Sequence, residues 1–189
     1  QISRKNLPFK KVVVHFKKYL EKHFNCPYHC FIKLDTDWNV GGHNLVIEEF
    51  KDIKIAYIRR TGKYGAENKQ LMEKLKEYLK SNDLFKDNTT ILGIALDNPL
   101  STPENEQRYD VGMIITGKDI HCDLPIRNID SGHYAIFEVP HAENDVANFW
   151  KNIDILTSDL PVDYTKPIIE RYAFSKISLH LCEFCIPLK

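Results

Sequence analysis

The sequence predicts an α+β fold in which a strand-helix-strand-strand unit occurs twice with pseudo-twofold symmetry, preceded by a helical arm. Two observations give the repeat: a pair of helical periodicities, each preceded by one β-rich run and followed by two more, and the recurrence of that order along the chain. A third separates the arm. Residues 1–34 carry eight basic side chains (Arg4, Lys5, Lys10, Lys11, Lys17, Lys18, Lys22, Lys33) against the single acid Glu21, a net +7, whereas the whole chain sums to zero, which leaves −7 on the remainder. With 43% apolar and 11% aromatic residues, 189 residues suffice to bury one core.

Taking the elements in order, Phe9, Val13, Phe16, Leu20 and Phe24 recur at spacings of three and four, so residues 9–24 read as an amphipathic helix with lysines on its outer side. Cys26-Pro27 ends it. Gly41-Gly42 is a turn signal, taken as the boundary between an arm of residues 1–42 and a body of residues 43–189. Residues 45–60 (LVIEEFKDIKIAYIRR) read as a strand in which Ile53, Ile55 and Tyr57 share one face. Leu71, Met72, Leu75, Tyr78 and Leu79 mark a helix over 66–80, entered through the Gly62 to Gly65 turn. Residues 90–96 and 107–116 read as a hairpin joined by the loop from Asn98 to Asn105. Residues 121–139 give the next strand, strongest in Tyr134-Ala135-Ile136-Phe137, and Val146, Phe149, Trp150 and Ile153 the second helix. Residues 167–174 and 179–187 close the repeat.

Composition excludes several classes. No apolar run approaches the roughly 18 residues of a membrane span, and the basic start lacks the apolar core and cleavage site of a secretory signal, so a cytoplasmic protein is expected. Five cysteines, an odd number in a chain this large, favour reduced thiols. Cys26 and Cys30 (C-x3-C) with Cys182 and Cys185 (C-x2-C) suggest zinc, but positions i and i+3 of a strand point to opposite faces, so no metal site is expected. The basic arm has two readings: a phosphate-facing segment that brings DNA as a partner, or a solvated helix face.

Six stretches carry a family resemblance. Residues 55–64 (IAYIRRTGKY) contain a "G-x-Y" turn, 92–99 (LGIALDNP) a "G-x-x-x-D-x-P" stretch, and 106–110 (EQRYD) an "R-Y-D" strand start. Residues 131–137 (SGHYAIF), 167–172 (PIIERY) and 185–188 (CIPL) add "G-x-Y-A-x-F", "P-x-x-E-x-Y" and "I-P". In this order the chain resembles the GyrI-like domains, which include the effector-binding domains of AraC-type regulators, over residues 45–188. The resemblance implies a duplicated fold that binds amphipathic, often cationic, small molecules between its halves, as part of a regulator or alone. It also extends to a gyrase inhibitor and to a branch that hydrolyses cyclopropane-containing alkylating compounds. In the arm, Phe16-Lys17-Lys18 and Phe24-Asn25-Cys26-Pro27 resemble the end of an AraC-type helix-turn-helix. The arm is therefore either a remnant of such a domain or a helix packed on the core.

The candidate site follows. Alternation puts Ile168, Glu170 and Tyr172 on one strand face; if that face looks into the seam between the halves, Glu170 is a carboxylate among aromatics. Such a charge stays protonated, pairs internally or awaits a cation. The competing reading is a structural ion pair, for instance with Arg108. Trp150, Tyr134, Tyr57 and Tyr109 are the expected walls, although Tyr134 and Phe137 lie on opposite faces of one strand, so one of them points away. No catalytic residue and no cofactor is expected. There is no G-x-S-x-G elbow, no His pair at i, i+4 and no phosphate-binding glycine loop, and only His133 beside Tyr134, or Glu170 with Tyr172, offers acid/base chemistry. A binding module with a lipophilic, cationic ligand is the first expectation; a hydrolase or a protein inhibitor is the alternative.

Overall fold

The computed structural model describes residues 34–40, 43–99, 101–116 and 122–189. The expected helix over 9–24, the basic residues up to Lys33 and the Cys26/Cys30 pair lie outside the described residues. The elements run β1 (Leu34–Val40), β2 (His43–Phe50), β3 (Lys54–Thr61), α1 (Ala66–Ser81), β4 (Thr90–Ala95), β5 (Arg108–Ile114), β6 (Ile126–Asn128), β7 (Gly132–Pro140), α2 (Glu143–Leu156), β8 (Ile169–Ala173), α3 (Phe174–Ile177) and β9 (Leu181–Pro187). The described strands form one antiparallel sheet in the order β1-β2-β7-β9-β8-β4-β5-β3-β6.

The duplication is written in that order. Outward from the central β8-β4 pair come β9 then β7 on one side, and β5 then β3 on the other. Each flank is therefore one strand-helix-strand-strand unit, and the pseudo-twofold axis passes between β4 and β8. Their register sets Gly93 opposite Glu170 and Ile91 opposite Tyr172.

Two expected strands are each divided. The run 45–60 breaks at Lys51–Ile53, where Asp52 takes a left-handed φ of 53°; β2 goes to β7 and β3 to β5, far apart in the sheet. Short polar residues tolerate this conformation, and a turn of this kind is invisible to hydrophobic patterning. The run 121–139 likewise divides into β6, which pairs with β3, and β7. Strand β1 pairs with β2, so among the described residues the sheet includes Leu34–Val40 as well as residues from 43 onward.

Helices α1 and α2 cover the same face of the sheet. α1 follows Gly65 (φ 143°) and places Leu71, Leu75 and Leu79, one turn apart, on Ile91, Tyr109, Val111 and Met113. It ends where the Asn82 amide side chain donates to the Tyr78 carbonyl at 2.8 Å. α2 carries Glu143 and Asp145 in its first turn, where acids favour the helix dipole, and packs Phe149 and Leu156 on Phe137, Val139, Phe184 and Ile186. Phe149 stacks on Phe184, ring centroids 4.1 Å apart. The alternate side chains form a second core on the other face, from Phe50, Ile55, Leu92, Ile94, Tyr134, Ile136, Ile169 and Cys185.

Two ion clusters lie on that second face. Fully buried Asp110 accepts two bonds from Arg59 (2.6 and 3.0 Å) and faces Arg127 Nε at 2.8 Å. Arg171 donates to Glu48 (2.6 and 3.1 Å) and to Glu183 (2.7 Å), tying β8 to β9 and to β2. Cys182 and Cys185 belong to opposite cores, as strand alternation requires.

A carboxylate in the seam between the halves

Strand β8 presents Glu170 and Tyr172 to the helix-covered face at the boundary of the two helix-covered cores, and Tyr172 touches both of them. Glu170 Oε2 accepts the hydroxyl of Tyr109, from β5 of the first half, at 2.8 Å. It also accepts the Tyr172 hydroxyl at 2.9 Å, and the Trp150 indole of α2 hydrogen-bonds the same carboxylate. Trp150 is held edge-on to Phe184 at 5.4 Å, and Phe184 is the β9 partner of Glu170. One carboxylate thus collects donors from both halves.

Its electrostatics are set by burial. Loss of water raises the Glu170 pKa above its ordinary value, and the three hydrogen bonds oppose that shift without reversing it. Among the described residues, no Lys, Arg or His lies within ion-pair distance of it. The anticipated alternative partner, Arg108, is committed to Asp97, at 2.6 and 3.0 Å. Burial, then the nearby carboxylate, pushes the Tyr109 and Tyr172 hydroxyls well above the usual phenol range, so both remain protonated donors.

Four of the expected site residues meet here: Glu170, Tyr172, Tyr109 and Trp150. Tyr134 and Tyr57 do not. Tyr134 is fully buried on the opposite face, stacked on Phe50 at 4.2 Å, with its hydroxyl donating to the Asp130 carbonyl. On that strand it is Phe137, with Ala135 and Val139, that faces α2. Tyr57 also lies on the second face, with the guanidinium carbons of Arg59 and Arg127 5.4 and 5.6 Å from its ring. Both are expected as walls because they are aromatic, and alternation along a strand does not say which of its two faces meets the helices.

Two further residues belong to the seam. His141 sets its ring edge-on to Tyr172 at 5.5 Å, and burial, followed by the charges of Lys76 and His180, lowers its pKa. Gly93 lies directly beneath the Tyr109–Glu170 contact. Its φ is not in the left-handed region, so no backbone requirement explains a glycine whose presence in a strand costs about 0.5 to 1 kcal/mol relative to Ala. A glycine amid a buried strand was the available signal, since such positions mark close approach of another group.

Comparison with known proteins agrees with this architecture. A family model described as GyrI-like small molecule binding domain matches residues 43–189. YosT of Bacillus subtilis (strain 168), an SPbeta prophage-derived protein named as a transcriptional regulator, is 39% identical over 150 residues, 77% of this chain and 99% of YosT. Among solved structures, the EcmrR C-terminal domain superposes with a TM-score of 0.58 at 10% identity, covering 78% of this chain and 98% of that one. SAV2435 bound to tetraphenylphosphonium gives 0.51 at 14% identity, over 78% of this chain and 93% of that one. These two likenesses establish the shared fold. The matched family and these relatives are binding and regulatory proteins.

Proposed function

We propose, from the premise that this chain belongs to the family of GyrI-like small molecule binding domains, that it binds amphipathic cations in the seam between its halves, with Glu170 as the anchor. One observation carries the reading: a buried carboxylate with no cationic side chain beside it among the described residues, framed by Tyr109, Tyr172 and Trp150. An aromatic frame attracts a cation by about 0.5 to 2 kcal/mol, depending on desolvation, and accepts many ligand shapes. The carboxylate then supplies the charge that selects cations over neutral molecules of similar form. Tetraphenylphosphonium, seen on SAV2435, is a suitable probe. The natural setting that fits is a cytoplasmic effector-binding module of a transcription regulator, a role the likeness to YosT and to EcmrR supports.

Calorimetric titration with tetraphenylphosphonium and with neutral triphenylphosphine oxide tests this. Glu170→Gln keeps the shape, removes the charge and should weaken cation binding by about 2 to 5 kcal/mol, as for a desolvated ion pair, while affecting the neutral probe far less. Equal cation affinity of wild type and variant overturns the assignment.

A further inference from the structure

Why Tyr109 can reach Glu170 at all is a question about β4, the strand that lies between them. On the helix-covered face β4 shows Ile91, Gly93 and Ala95, with Gly93 paired to Glu170 on one side and to Val111 on the other. A Cβ at Gly93 would stand far inside van der Waals contact of the Tyr109 hydroxyl, 3.2 Å from its ring carbon Cζ and 3.0 Å from Glu170 Oε2. The atoms it would strike are those of the hydrogen bond itself. Building on the reading of Glu170 as anchor, we propose that Gly93 is a positioning residue of the ligand site: the side chain it lacks is the passage through which the first half hydrogen-bonds the anchor of the second.

The consequence is specific. Tyr109 is the far end of a side chain, so Ala at position 93 is relieved by moving its hydroxyl rather than the sheet. Glu170 then loses one donor to its charged form, and its ionisation moves to higher pH. Cation binding favours ionised Glu170, so affinity rises with pH until the carboxylate is ionised in the free protein and then levels off. The groups facing Glu170 are Tyr109 from β5, Tyr172 from β8, Cys182 from β9 and Trp150 from α2. His141 stands beyond Tyr172, with Lys76 of α1 near it. The tyrosines are pushed above the phenol range and Cys182 up to about 12, which leaves His141, its pKa lowered first by burial, as the remaining titratable group to be controlled.

The experiment is titration of tetraphenylphosphonium across pH 5 to about 9 in the full chain, with His141→Asn as the common background. Gly93→Ala and Tyr109→Phe should each displace the rise to higher pH, lowering affinity below the plateau about tenfold per unit of displacement. The double variant should move no further than Tyr109→Phe alone. In thermal unfolding, Tyr109→Phe introduced into Gly93→Ala should recover stability, because it deletes the atom struck. An unmoved curve for Gly93→Ala, additive displacements, or no recovery overturns the proposal. Those results with a normal loss in Glu170→Gln overturn the role of Gly93 alone, whereas full cation affinity in Glu170→Gln overturns the anchor as well.

Discussion

Glu170 places a conflict in the folded state, since three donors serve its charge while burial opposes it. An acid whose pKa is raised on folding contributes stability that is fully present below its ordinary value of 4.5 and is lost as pH rises through the raised value. Denaturant unfolding between pH 4 and pH 8 should therefore show wild type losing stability relative to Glu170→Gln as pH increases. A Gln carbonyl still accepts from Tyr109 and Tyr172, which keeps the variant folded. A difference that grows instead toward low pH would mean that the native carboxylate is held below its ordinary range.

Strand β8 gathers the protein's opposed requirements in five residues. Glu170 and Tyr172 face the helices, while Ile169 and Arg171 face the other core, where Arg171 holds Glu48 and Glu183. Arg171→Met leaves two nearly buried carboxylates without their cation, and the loss should be about 3 to 5 kcal/mol in denaturant unfolding. Restoration by the further changes Glu48→Gln and Glu183→Gln distinguishes electrostatics from packing. The pairing of Glu170 with Tyr172 was legible because period-two alternation is local. The facing of Tyr134 was not: Tyr134, Ala135, Ile136 and Phe137 are all buried, and a strand covered on both sides loses the polar rhythm that identifies its inner face. The role of Gly93 is not local for a related reason, since what it does depends on Tyr109 and Glu170, which meet only across strands. Helices α1 and α2 were legible from apolar spacing, whereas the break at Asp52 rests on one backbone angle.

At the scale of the molecule, the +7 of residues 1–34 against the −7 of the remainder predicts where any affinity for a polyanion resides. Replacing Lys10, Lys11, Lys17 and Lys18 by Glu should abolish any salt-sensitive DNA binding that fluorescence anisotropy detects at low salt. Unchanged binding would transfer that affinity to the body. The order of the strands has another consequence. β2 pairs with β7, with Phe50 opposite Gly132, so between them the chain from 51 to 131 builds β3 to β6 at the far side of the same sheet before it returns to the end of β2. During synthesis the first half can close on itself as soon as β5 has emerged, but β2, made earlier, has no inner neighbour until β7 leaves the ribosome. The earliest described strands are thus among the last to be locked in place, and a nascent chain halted before residue 132 would display β2 as an open edge.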